Sequence, residues 1–117
     1  MKKLGIPYQL VSAATNNAQI VRGAPGQVTA VWCTNTNAAI RFLKFFDVAR
    51  IPEPANDRPV FICGIPGGGA AGAGGSIAIP GAICFDNGIG IAIVTGAADG
   101  DNSAVAAGEI VVGFVIR

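Results

Sequence analysis

The sequence predicts an all-β fold, an antiparallel β-sandwich of the jelly-roll kind with about eight short strands. Short runs rich in β-branched and aromatic residues recur along the chain, and turns rich in Gly, Pro and Asn separate them. No stretch shows a clear apolar period of 3.6 residues, and Ala-rich pieces such as 103–107 are too short for a stable helix. With 117 residues, the chain is expected to form a single domain, 1–117, around one two-layer core.

The strongest local pattern lies in residues 27–48, where two such runs flank Asn35-Thr36-Asn37. Asn tolerates the left-handed backbone that a tight connection needs, so this segment is predicted to form a β-hairpin. The only Trp, Trp32, and three of the six Phe residues lie in it. We therefore expect the hairpin to supply much of the core and Trp32 to lie inside.

The second arm of the predicted hairpin, residues 40–48, carries apolar side chains on both faces. A half-buried strand should alternate apolar and polar residues. Either a bulge rearranges the strand, or one set of aromatic residues lies on an outer surface that needs a neighbour. The second interpretation makes Phe42, Lys44 and Phe46 candidates for contact with a partner.

The segments around the hairpin are predicted to alternate between strands and turns. Residues 1–7 form an N-terminal arm, because Pro7 and Gln9 interrupt any apolar stretch of signal-peptide length. Residues 66–76 form a flexible loop, since the run from 67 to 75 contains only Gly and Ala. The other predicted strands are 8–14, 18–22, 60–65, 77–79, 83–85, 89–95 and 109–116, with turns at 16–17, 23–26, 80–81 and 86–88.

An exposed loop is predicted at residues 49–59, which contain three prolines. Proline removes a backbone donor and biases its predecessor toward extended backbone, so a strand is excluded there. Much of the charge of the chain lies in and just before this loop. Arg50, Glu53 and Arg58 are therefore further candidates for contact with a partner.

The low charge of the chain predicts assembly. Charged residues make up 13% of the sequence, which is about half the share found in an average soluble domain. We expect copies of the chain or another partner to cover part of its surface. A compact monomer rich in Gly and Ala is the alternative.

Two classes of partner are not expected. The net charge is +1 and the basic residues are scattered, so no run of Lys or Arg can follow a nucleic-acid backbone. The apolar stretch 77–98 contains Asp86, Pro80 and several glycines. These residues favour strands separated by turns over a span through a membrane.

The residue types also argue against an enzyme, a cofactor or a metal site. The absence of His removes the commonest general base and most transition-metal ligand sets. Cys33, Cys63 and Cys84 form no Cys-x-x-Cys pair, so we expect three buried, reduced thiols rather than a zinc site.

Two further motifs lack residues that a binding site of their kind requires. The Gly-rich loop has no Lys for a phosphate loop. A calcium loop that begins at Asp99 would have Ile110 where it requires Glu, so a polar turn is predicted at residues 99–101. Convergence of two carboxylates for glycosidic chemistry stays open, with nothing in the sequence to favour it.

Three segments, 32–48, 80–88 and 90–112, taken together carry a family resemblance. The first and third contain the motifs that carry it. Asn-Thr-Asn-Ala-Ala stands at 35–39, Arg-Phe-Leu-Lys at 41–44 and Thr-Gly-Ala-Ala-Asp-Gly-Asp at 95–101. In this order the chain resembles small β-sandwich virion proteins of tailed bacteriophages, which combine such a turn, such a strand and such a loop.

The resemblance implies a non-enzymatic structural protein of the virion, made in the host cytoplasm. It points most directly to a capsid decoration protein that stabilises the head by bridging capsomers. The implied partners are further copies of the chain, as a homotrimer or another homo-oligomer, and the major capsid protein or another virion protein. A tail or baseplate component and a glycan-binding jelly-roll module are the alternatives.

Overall fold

A computed structural model describes residues 5–117, with residues 76–81 described by their backbone alone. Residues 1–4 of the predicted N-terminal arm thus lie outside the described residues, and the arm beyond Gly5 belongs to the first strand. The elements of this part are β1 (Ile6–Val11), β2 (Gln19–Arg22), β3 (Gly26–Asn35), β4 (Arg41–Phe46), β5 (Phe61–Ile65), a 3₁₀ turn (Gly69–Ala71), β6 (Ala73–Phe85), β7 (Ile89–Val94) and β8 (Ile110–Ile116).

The strands form two four-stranded antiparallel sheets. Sheet A has the order β1-β8-β3-β6, and sheet B has the order β2-β7-β4-β5. The pairs β1–β8, β2–β7, β3–β6 and β4–β5 are those of one long hairpin. Winding that hairpin into two layers places β8 beside β3 and β7 beside β4, which is the jelly-roll arrangement. The predicted fold class is confirmed.

The core lies between the sheets and is built from the alternate side chains that point inward. Phe45 of sheet B meets Phe114 of sheet A edge to face, with ring centroids 5.3 Å apart. Tyr8 stacks on Phe114 at 5.0 Å, and aromatic pairs of these kinds add about 0.5–1.5 kcal/mol beyond their buried area. The other buried members of this core are Val28, Val31, Cys33, Leu43, Cys63, Ile65, Phe85, Ile89, Ile91, Ile93, Val105, Ile110, Val112 and Ile116.

The hairpin predicted at residues 27–48 is wrong, because β3 belongs to sheet A and β4 to sheet B. The connection crosses between the sheets, and the buried Asn35 side chain holds it. Its Nδ2 donates to the carbonyl oxygens of Ala39 and Ile65, at 2.9 and 3.2 Å. Its Oδ1 accepts from the N–H of Asn37 at 2.8 Å. These bonds take the place of the backbone ladder that a hairpin would have supplied.

The flexible loop predicted at residues 66–76 is shorter in the structure. β6 begins at Ala73, where it pairs with Asn35 at the end of β3. A Cβ on Gly74 would overlap the carbonyl oxygen of Cys33. Part of the glycine run therefore serves close pairing between strands rather than a loop.

The β6 strand is continuous, rather than two strands separated by the predicted turn at 80–81. The register with β3 changes between Val28 and Ala30, where β6 contributes extra residues. Next to this bulge, Ala82 has a φ of 81°, in the left-handed region that L-residues other than Gly rarely adopt. The backbone thus bends at the predicted turn without leaving the sheet.

A buried carboxylate fastens the start of β8 to the crossing between the sheets. Glu109 accepts hydrogen bonds from Arg41 Nε at 3.0 Å and from Asn37 Nδ2 at 2.7 Å. The N–H of Ala106 donates to the same carboxylate at 3.1 Å. Burial alone would raise the pKa of Glu109, but these donors together hold the pKa below its ordinary value of 4.5.

The variant Glu109→Gln should lower the free energy of unfolding by roughly 2–4 kcal/mol, because it leaves Arg41 largely buried without its counter-charge. The effect should depend on pH. The unfolded chain takes up a proton at a higher pH than the folded chain, so stabilisation by ionised Glu109 is complete above pH 4.5 and is lost as the pH falls through the folded pKa. Urea unfolding followed by Trp32 fluorescence, from about pH 7 to about pH 3, measures this dependence.

Glu53→Gln is the matched control, because Glu53 is an exposed carboxylate. It should change the free energy of unfolding by less than about 0.5 kcal/mol. Equal losses in the two variants would contradict the role assigned to Glu109.

Candidate functional site

Loops of the same chain cover the outer face of sheet B around Lys44 and Phe46. Phe42, Lys44 and Phe46 point to this face, since their neighbours Leu43 and Phe45 point into the core. Lys44 and Phe46 are nevertheless fully buried, and Phe42 is half-buried. The prediction that Lys44 and Phe46 lie on a free outer surface is therefore wrong, because the chain itself supplies the neighbour that they need.

The loop between β4 and β5 lies on sheet B beside Phe46. Phe46 pairs with Gly90 across β4 and β7. A Cβ on Gly90 would lie 3.1 Å from Pro52 Cδ and 3.1 Å from Val48 Cγ2. Because Gly90 has no side chain, the proline-rich loop can lie directly on the sheet.

The charged residues of this loop that are predicted to contact a partner differ in how freely they could do so. Arg50 donates to both carboxylate oxygens of Asp57, at 2.8 and 2.7 Å. Its guanidinium lowers the pKa of Asp57 to about 2. Arg58 is exposed and lies 3.4 Å from the exposed Asp99, and Glu53 is exposed as well. The ion pair of Arg50 with Asp57 therefore stabilises the loop, whereas Glu53 and Arg58 are accessible at the surface.

Lys44 is a buried cation beneath the loop that follows β7. Its Nζ donates to the carbonyl oxygen of Ala98. Burial lowers the pKa of Lys44, and the nearby charges of Asp101 and Asp99 offset only part of this effect. Asp101 accepts from the N–H and the hydroxyl of Ser103. These contacts fasten the loop to the sheet and form the polar turn that the sequence predicts.

The outer face of sheet A carries nine positions on three neighbouring strands, and none of them is charged. The register arranges them in three rows across β1, β8 and β3. The β1 residues are exposed, and most of the others are half-buried. We call these nine residues the sheet-A face: Val11, Val111 and Thr34 in one row, Gln9, Gly113 and Trp32 in the next, and Pro7, Val115 and Ala30 in the third.

Trp32 lies in the central row of the sheet-A face, so the prediction that it lies in the core is wrong. Its neighbours Val31 and Cys33 point into the core, and strand alternation turns Trp32 outward. A Cβ on Gly113 would overlap Cε2 and Nε1 of Trp32. The half-buried indole therefore rests on the bare backbone of Gly113.

Sequence reasoning missed this face, although one pattern indicated it. The β8 strand places Gly113 in the middle of a strongly apolar run. A glycine inside a strand marks a position where another group closely approaches the backbone. That group is Trp32, but the pairing of β8 with β3 is needed to identify it.

The sheet-A face is suited to contact rather than to covalent chemistry. Gln9 and Thr34 supply its polar side chains, and the rest of it is apolar. Continuous apolar patches of this kind mark interaction sites on soluble proteins. Within residues 5–117 no group of three or more His, Cys, Asp or Glu side chains could hold a metal ion. No helix in the described part is long and apolar enough to cross a membrane.

The expectation of three buried thiols is only partly met. Cys33 and Cys63 are buried, but Cys84 is exposed. Cys84 pairs in register with Gln27 on β3, and the Gln27 amide lies 3.7 Å from its sulfur. Cys84 follows the bulge in β6. Regular alternation of side chains along a strand does not predict such a bulge, so it does not predict the exposure of Cys84.

No protein-family model, curated protein or solved structure matches this chain. The segments 35–39, 41–44 and 95–101 form one connected unit. The segment 35–39 makes the crossing between the sheets, and 41–44 forms most of β4. Lys44 of the second motif bonds to Ala98 in the third, at 95–101. These three segments therefore contribute to the sandwich itself.

The contact between Trp32 and Gly113 can be tested with Gly113→Ala. The added methyl group should push the indole away from the sheet, lower the free energy of unfolding by about 1–3 kcal/mol and move the Trp32 emission to longer wavelength. Gly75→Ala is the control, because nothing lies within 4 Å of a Cβ at that position. An unchanged emission spectrum in Gly113→Ala would contradict the placement of the indole.

Proposed function

We propose that this chain is a non-enzymatic structural subunit of a phage virion, a capsid decoration protein that assembles through its sheet-A face. The observation that carries the proposal is the uncharged sheet-A face with Trp32 at its centre. On the opposite face, loops of the chain cover the region around Lys44 and Phe46. Jelly rolls occur in viral capsid domains, although a fold by itself does not define a function. The motif resemblance supports the same role.

The size of the sheet-A face decides what kind of assembly it can support. Strands lie about 4.8 Å apart and alternate residues about 6.8 Å apart, so nine positions with their side chains cover roughly 300–400 Å². A stable isolated interface buries about 800 Å² on each partner. One sheet-A face thus gives a weak contact, which becomes strong only when many copies bind a lattice together.

The proposed partners are further copies of the chain, as a homotrimer or a related closed oligomer, and the major capsid protein beneath them. Each copy would bridge neighbouring capsomers by burying apolar surface, worth about 25 cal/mol per Å². The exposed Glu53 and Arg58 lie on the loop side of the sandwich, away from the sheet-A face. They are candidates for polar contacts at the rim of a second interface.

Association is tested by light scattering over a range of concentrations. The weight-average mass of the wild type should rise above 11.7 kDa as the concentration increases. Val11→Glu should keep the protein monomeric, because it places an unpaired carboxylate in an apolar contact. A wild type that stays monomeric at every concentration contradicts self-association.

Ile51→Glu is the matched variant, since Ile51 is 60% exposed and Val11 is 55% exposed. It introduces the same charge on the loop that holds Arg50, Glu53 and Arg58, and it should leave association unchanged. If Ile51→Glu dissociates the protein while Val11→Glu does not, the interface lies on the loop and the assignment of the sheet-A face is overturned.

The place in the virion is tested by mass spectrometry of phage particles purified from the host that carries the coding sequence. Peptides of this chain should be found with intact heads. Their recovery only with detached tails would move the proposal to a tail or baseplate component. Their absence from all particles would overturn a virion role.

Trp32 also favours a second candidate, a glycan-binding module, because jelly rolls include lectin domains. An indole lying flat on a sheet offers an apolar platform for a sugar ring, and Gln9 in the same row offers an amide for hydroxyl groups. Since Trp32 is the only Trp, its emission reports on this site directly. A saturable change on adding oligosaccharides to monomeric protein, weakened in Gln9→Ala, would favour this candidate. No response across a broad oligosaccharide panel would count against it.

A further inference from the structure

A pocket of about 180 Å³ lies between the two sheets, at the flank formed by β5 and β6. These strands are the edges of sheet B and sheet A, so the pocket opens at the side of the sandwich. Val31 and Pro66 form part of its apolar wall, and both Cys33 and Cys63 line it. The pocket is distinct from the sheet-A face.

The two thiols reach this pocket from opposite sheets. Cys33 lies on β3 of sheet A and Cys63 on β5 of sheet B, and both are buried. Each thiol lies near a backbone carbonyl oxygen of the pocket wall, Cys33 at 3.8 Å from Gly75 and Cys63 at 4.0 Å from Gly64, and both line the same pocket. Residues of β3 and β5 come within 8 Å of one another between Cα atoms, although sheets packed face to face are generally about 10 Å apart. The two sheets therefore approach each other closely along the pair of strands that carries Cys33 and Cys63.

The two thiols differ in acidity. Interaction with Cys63 lowers the pKa of Cys33, against the opposing effect of burial. Interaction with Cys33 and burial both raise the pKa of Cys63. The other residues that line the pocket are Val, Pro and Gly, so no charged side chain competes with the pair there. A thiolate held against a thiol is the starting arrangement for disulfide chemistry.

We propose that Cys33 and Cys63 form a redox-active pair that a small peroxide converts into a disulfide bond between the two sheets. The pocket admits an oxidant of the size of hydrogen peroxide and excludes large disulfide reagents.

The steps balance in atoms and electrons. The Cys33 thiolate attacks one oxygen of hydrogen peroxide and the O–O bond breaks, which leaves a sulfenic acid on Cys33 and a hydroxide that takes up the proton from the Cys33 thiol. The Cys63 sulfur then attacks the Cys33 sulfur, the S–O bond breaks, and hydroxide leaves with the Cys63 proton as water. Two thiols thus lose two electrons and two protons, and one peroxide becomes two waters.

Cys84 differs from Cys33 and Cys63 in its surroundings. It is exposed, and its neighbour in register is Gln27 rather than a cysteine. Peroxide should therefore oxidise the Cys84 thiol to a sulfenic, sulfinic or sulfonic acid, or join two molecules through a disulfide bond. Because Cys84 lies outside the pocket, Cys84→Ser removes this side reaction and leaves the pair intact.

The test treats folded Cys84→Ser protein with hydrogen peroxide and follows intact mass, thiol content after denaturation and melting temperature. The expected product is a monomer lighter by two hydrogen atoms, with no titratable thiol left. A peptide digest should link the Cys33 peptide to the Cys63 peptide. The melting temperature should rise by about 5–10 °C relative to the reduced protein, because the bond closes a loop of roughly 30 residues.

Cys33→Ser and Cys63→Ser in the Cys84→Ser background are the controls, and neither should lose two hydrogen atoms as a monomer. Addition of oxygen atoms to Cys33 or Cys63 without the cross-link would overturn the proposal. Persistence of both thiols after Cys84 in wild-type protein has been fully oxidised would overturn it as well.

Discussion

The structure depends on the crossing that Asn35 makes between the two sheets. Its amide is buried and bonded to Ala39, Ile65 and Asn37, so the chain after β3 enters the opposite sheet. Once β4 lies in sheet B, the wound hairpin follows, with β8 between β1 and β3 and β7 between β2 and β4. Glu109 acts at the same place by joining β8 to Asn37. An amide left without these partners would be costly, because a buried polar group that loses its hydrogen bonds bears its full desolvation penalty.

Local patterns were sufficient to predict the fold class and most of the strands. β-Branched runs between Gly, Pro and Asn turns place β1, β2, β5, β7 and β8 to within a few residues, because these signals act over short distances. The crossing could not be predicted in this way. Asn35 suits a hairpin and a crossing equally well, and the choice is made by Ile65, thirty residues away.

The same limitation explains why the exposure of Lys44, Phe46 and Trp32 could not be predicted from their neighbours in sequence. β3 and β4 each carry apolar side chains on both faces, so alternation alone cannot say which face points inward. Pairing with other strands makes that choice: Val31 and Cys33 face the core and Trp32 does not. The buried Lys44 is a further example, because a cation inside a covered face is stable only with the carbonyl oxygen and carboxylates that a distant loop brings to it. When the contacts of a residue lie far along the chain, its burial cannot be predicted from the residues next to it in sequence.

The edges of sheet A limit how copies of this protein can grow into larger structures. An open edge strand offers free N–H and C=O groups and can add strands from further chains without end. Here Pro7 removes a donor from β1, and the bulge beside Ala82 disrupts the regular spacing of β6. Growth by strand addition is thereby discouraged on both sides, whereas the flat face between them stays open. If copies of this chain associate as proposed, such edges disfavour a continuous fibre and leave the sheet-A face as the surface through which the copies meet.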